Sequence, residues 1–170
     1  YILFRRSTLV VQLLQYVRLY NYSRAIYKLN NNCKTNNDNM DKKKCIIDKY
    51  NTVYSYDVFV VVNPDRDTLN KRFAWSEDDK EFYNSDYDDR VAITCSNVTD
   101  IENNKYCFVI IVNSFRDDID LVNTSAHEAT HAAHDILSGC HIKLSEDTEE
   151  AYAYLVGYIS ECVFKTVKKV

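Results

Sequence analysis

The chain reads as an α+β domain: a small mixed or antiparallel sheet packed against two consecutive helices near the C-terminal end. Three observations predict this. Stretches rich in β-branched and aromatic residues recur at 54–62, 91–98 and 105–113, the pattern of half-buried and buried strands. From Asp120 to Ser138 apolar residues recur at helical spacing with no proline or glycine inside. A second stretch, Ser145 to Ile159, repeats the helical period behind an acidic first turn.

Taken in order, Tyr54–Val62 (YSYDVFVVV) is a strand that stops at Asn63-Pro64-Asp65, where proline removes a ladder donor. Thr68–Trp75 is a short helix and Asp78–Arg90, rich in Asp, Glu and Tyr, an exposed loop. Val91–Val98 and Lys105–Asn113 are strands joined by the turn-prone Thr99–Asn104. The next helix carries Leu121, Val122, Ala126, Ala129, Ala132, Ala133, Ile136 and Leu137 on its apolar positions. Asp117, Asp118 and Asp120 complement the positive end of its dipole, and Gly139 suits a left-handed cap at its other end. The last helix takes its N-cap at Ser145 or Asp147. One proline and two glycines in 170 residues are few, so turns must rely on Asn and Asp.

Charge divides the chain. Six of its 21 Lys and Arg but only one of its 25 Asp and Glu precede Met40, the single methionine. Residues 40–170 therefore hold 15 basic against 24 acidic side chains, a net of −9. We expect residues 1–39 to be an upstream-frame or non-domain extension and 40–170 to be the functional domain. Leu9–Tyr27 is interrupted by Arg18 and Arg24, which argues against a membrane span. An acidic domain disfavours nucleic acid, whose phosphates need a basic face. The six cysteines show no C-x-x-C spacing, so a structural zinc cluster is unsupported, although Cys95 and Cys107 could meet across a hairpin.

Function is written most clearly at His127-Glu128-Ala129-Thr130-His131, an HExxH motif inside the longer helix. Positions i and i+4 share a helix face, so both imidazoles can grip one metal ion. Glu128 lies beside them, where a carboxylate can take a proton from an activated water. A plainer alternative exists: Ser125-Ala126-His127-Glu128 also fits the capping box S-x-x-E, in which Glu128 only satisfies backbone donors at a helix start.

A catalytic zinc usually has three protein ligands. In the last helix Glu150, Ala153, Tyr154, Gly157 and Tyr158 form one stripe, with small Ala153 and Gly157 allowing close approach to its neighbour. Glu150 would then point at the HExxH helix and complete a metal set with His127 and His131. Glu149 points about 100° away and is the weaker choice. His134 lies two turns beyond His127, too far to join the same ion without strain. Asp135 and His141 are weaker still. Tyr154 or Tyr158 could donate to an oxyanion, or simply pack.

On these residues the chain resembles the gluzincin class of zinc metallopeptidases. HEATHAAHDIL followed by EEAYAYLVGYI is similar, more narrowly, to small HExxH proteins of tailed bacteriophages and prophages. The resemblance covers about residues 105–162. It implies a minimal zincin-like fold, one Zn²⁺ per chain on His127, His131 and Glu150, Glu128 as general base and a peptide or amide substrate. It also implies a phage or prophage protein in the cytoplasm of a bacterial host, with virion association as another possibility. In such folds an edge strand ahead of the helix pairs with extended substrate. Tyr106–Val112 is the natural candidate, although its unbroken apolar run fits a central strand better. The alternative function is non-catalytic: a structural or host-modulating protein that keeps the metal as a staple.

Overall fold

The computed structural model describes residues 44–76 and 80–170. The chain divides into Tyr1–Asp41 and Lys42–Val170, and the structure set out here is that of the second unit. The expectations made for residues 1–39 fall outside the described residues.

Five strands form one mixed sheet in the order β1-β2-β5-β4-β3. They are β1 (Ile46–Asn51), β2 (Asp57–Val62), β3 (Phe73–Trp75), β4 (Ala92–Asp100) and β5 (Lys105–Val112). β1 and β2 form an antiparallel hairpin, as do β4 and β5, and the two hairpins join through parallel pairing of β2 with β5. β3 pairs with β4 only over Val98–Asp100. Three helices complete the domain: α1 (Arg66–Arg72), α2 (Asp118–Gly139) and α3 (Glu149–Val167). None of the described helices is long and apolar enough to cross a membrane.

The sheet is covered on both faces, which is why β2 and β5 read as continuous apolar runs. Val58, Val60, Val62, Ile110 and Val112 meet α2 and α3 on one face. Phe59, Val61, Val109 and Ile111 meet α1 and the segment around Phe82 and Tyr83 on the other. Full burial of Leu121, Ile136 and Leu137 ties α2 to the sheet at about 2 kcal/mol for each side chain.

Several sequence expectations are corrected here. β1 was not foreseen, and the short helix ends at Arg72, not Trp75. Phe73 turns into a strand because its ring is needed in the core, 5.1 Å from that of Phe59 and 5.3 Å from that of Phe82. The loop after it is not wholly exposed, since Phe82 and Tyr83 are buried. α3 is capped by Thr148, without a side-chain bond, and not by Ser145 or Asp147. Gly139 remains helical, and the left-handed residue beyond α2 is His141 at φ 60°. What position 139 needs is space: a Cβ there would stand 2.9 Å from the Tyr56 hydroxyl oxygen. Asparagine does take over left-handed turns, at Asn63, Asn97 and Asn104.

Candidate metal centre

α2 begins where its acidic first turn predicts. The Asp117 carboxylate caps it by accepting from Asp120 N at 2.8 Å. Ser125 is therefore well inside the helix, and its hydroxyl donates to the Leu121 carbonyl at 2.6 Å. That removes the capping-box reading of Glu128. Leu121, Ala129, Ala132, Ile136 and Leu137 hold the helix to the sheet, so rotation about its axis is set by packing. That rotation sends His127 and His131 outward and Glu128 inward.

The two imidazole Nε2 atoms stand 3.1 Å apart, with ring centroids 4.8 Å apart and planes at 73°. Two nitrogens each about 2.05 Å from a tetrahedral zinc are separated by about 3.3 Å. The observed separation, which is also that of a hydrogen bond between the two rings, is close to that spacing. Glu128 turns the other way. It is only 7% exposed, and Thr94 Oγ1 of β4 lies 2.8 Å from its Oε2 and 2.9 Å from its backbone carbonyl, sharing one hydroxyl proton between them. Thr94 was not singled out from sequence. Its signal is a hydroxyl on the helix-facing side of a strand where Ile93 and Cys95 point the other way.

β5, the suggested edge strand, is central, as its apolar run indicated. Among the described residues, β4 has no strand partner on its outer side before Val98. β3 reaches only Val98–Asp100, and a bulge between Cys95 and Val98, with Asn97 at φ 59°, bends the strand there. Asn113 N donates to the Val91 carbonyl at 2.9 Å. By antiparallel alternation, Ile93 and Cys95 then bond to β5, while the main-chain groups of Ala92 and Thr94 face away from it.

The third ligand is where the structure departs from the sequence reading. The face of α3 that packs is Tyr152, Leu155, Ile159, Cys162 and Val163, so Glu150, Ala153, Tyr154 and Gly157 face outward. A Cβ at Gly157 would meet nothing within 4 Å, so no neighbour approaches there. Among the described residues no group of three His, Cys, Asp or Glu is placed to hold a metal ion. The histidines are brought together, and Glu150 is not brought to them. Tyr154 is 77% exposed, and the Tyr158 hydroxyl donates to the Asn51 carbonyl at 2.9 Å, away from the motif. His134 is exposed on the same side of α2 as the histidine pair, its Nδ1 3.3 Å from Asp135 Oδ1.

Cys95 and Cys107 are both buried and both free. Burial, with the Glu128 carboxylate adding to it, pushes the Cys95 thiol up to about 12. Burial, with Asp100 adding to it, does the same to Cys107. An open depression of about 410 Å³ near Lys49, Phe59 and Arg72 lies on the opposite side of the sheet and contains none of the candidate residues. No protein-family model, curated protein or solved structure matches this chain.

Proposed function

We propose that this chain is a zinc-dependent hydrolase of peptide or related amide bonds. One observation carries the reading: a histidine pair whose Nε2 atoms are 3.1 Å apart, on the helix turn whose glutamate is held by Thr94 of β4. His127 and His131 would hold the ion through Nε2. Zinc, when bound, supplies the Lewis acidity that activates water and polarises a carbonyl.

The chain's own groups do the rest. The outward N–H and C=O groups of Ala92 and Thr94 would pair with an extended substrate as an added strand, which lays its carbonyls along α2. Glu128, which points inward from the histidine side, would turn from Thr94 toward the pair to take the water proton and return it to the leaving amine. Thr94 would hold that carboxylate between strand and helix.

The test is Glu128→Gln, which keeps shape and the bond from Thr94 but removes the base. Zinc content should be unchanged and cleavage of a mixed peptide library abolished. Equal cleavage by the variant would refute the assignment.

A second reading is favoured by one feature: the histidines stand on the exposed side of α2, not between two lobes. It makes the metal a non-catalytic staple, with a large loss of thermal stability on chelation and no turnover.

A further inference from the structure

We propose that the Thr94 hydroxyl is a latch on Glu128, present in the free chain and opened when a metal ion occupies the His127–His131 pair. It rests on the metal-site reading above and adds to it what holds the site at rest.

In the free chain the polar groups of the motif bond to one another and to β4. The Nε2 atoms of His127 and His131 stand 3.1 Å apart, so one ring N–H is donated to the lone pair of the other ring. A metal ion needs both lone pairs, and that bond ends when an ion enters. Among the described residues no third donor joins the pair, which leaves the other positions on such an ion open to solvent. Glu128 is 7% exposed and, among the described residues, forms no ion pair. Its carboxylate accepts one hydrogen bond there, from Thr94 Oγ1 at 2.8 Å, although an ionised carboxylate can accept several. Even this donor is divided, because the single hydroxyl proton also serves the Glu128 backbone carbonyl at 2.9 Å.

Division is what makes the contact reversible. When the carboxylate turns away, the hydroxyl keeps the carbonyl that the helix holds in place, and no buried donor is left bare. The turn is short: Glu128 follows His127 directly, and its direction from the helix axis is about 60° from that of His131. A divalent ion on the pair is the largest charge in its neighbourhood. The carboxylate therefore leaves Thr94 for the histidine side when the ion is bound, and its bond to Thr94 stabilises only the empty form. A contact made only in the empty form weakens metal binding by the factor it contributes there. Thr94 is thus a positioning residue that sets metal affinity without touching the metal.

The experiment is isothermal titration of the full chain with zinc at neutral pH, for the parent and for Thr94→Val, Thr94→Ser and Glu128→Ala. A bond to a carboxylate is roughly twice as strong as one to a neutral carbonyl. The expected result is zinc binding about fivefold tighter in Thr94→Val than in the parent. Thr94→Ala, which also lacks the hydroxyl, should shift in the same direction, and Thr94→Ser should match the parent. In the Glu128→Ala background Thr94→Val should leave zinc affinity unchanged. Urea unfolding reads the reciprocal effect: the stability lost on Thr94→Val should be smaller in saturating zinc than in chelator. Unchanged or weaker zinc binding by Thr94→Val, or a stability loss that zinc does not reduce, would overturn the latch. If zinc is then still lost in His127→Ala/His131→Ala, the metal reading stands without it. Zinc uptake that survives removal of both histidines, or a folded parent chain that takes up none, ends both.

Discussion

Replacing Thr94 with valine tests the link between β4 and the HExxH helix. Valine has nearly the shape of threonine, so the change leaves no cavity and removes only the hydroxyl whose proton is shared by the Glu128 carboxylate and carbonyl, at 2.8 and 2.9 Å. A hydrogen bond to a charged acceptor contributes about 1.5–3 kcal/mol, and withdrawing it from a group that stays buried has a cost at the same scale. Glu128 retains 7% exposure, enough for partial hydration, which places the expected loss near 2 kcal/mol. For a domain of this size that is a fall in Tm of about 8 °C. Urea unfolding at neutral pH measures it. Thr94→Ser, which keeps the hydroxyl, should lose much less. In the Glu128→Ala background Thr94→Val should cost less, since only the backbone carbonyl remains as acceptor, and the double-mutant cycle isolates the bond to the carboxylate. If Thr94→Val is as stable as the parent protein, within about 0.5 kcal/mol, the carboxylate does not depend on β4 and the role given to Thr94 is refuted.

Two further outcomes are expected. Gly157→Ala should raise stability by about 0.5–1 kcal/mol, because it removes a helix-interior glycine where an added Cβ meets nothing within 4 Å; a decrease in the urea midpoint would mean that this face of α3 is packed. With their thiols held near 12, Cys95 and Cys107 should stay protonated and unreactive toward an alkylating reagent from neutral pH to about pH 9, while partly exposed Cys140 reacts. Peptide mapping by mass spectrometry reads this directly, and native labelling at Cys95 would place it outside the core.

How much of this was legible depends on how many forces agreed at each element. α2 was read to within two residues at its start and one at its end, because apolar period, acidic first turn and an Asp cap coincide there. β1 was missed because an edge strand needs little burial, and Asp48 and Lys49 hide its alternation. Those charges are paired, with Lys169 and Asp57 respectively. α3 shows two helical stripes, one of tyrosine, alanine and glycine and one of leucine, isoleucine and valine. Small residues suggested close approach, but the aliphatic stripe removes more apolar surface from water, and it is the one that packs. The same rotation leaves Glu150 exposed on α3. The His127–His131 pair was legible because a single helix encodes it. Thr94 and the outer side of β4 were not, since strand order is a long-range property that no local period records.

The parallel joint between β2 and β5 sets how the domain must assemble. Each of the two hairpins can form from neighbouring sequence, yet the sheet becomes one only when Asp57–Val62 meets Cys107–Val112 across everything between them. Non-local pairing of this kind is reached late, after its loop-closure entropy has been met. α2 packs on β4 and β5, and α3 on β1 and β2, so the two-helix unit straddles that seam. The histidine helix stands on the local β4–β5 hairpin, which precedes it in the chain, so Thr94 and Glu128 can meet before that seam closes.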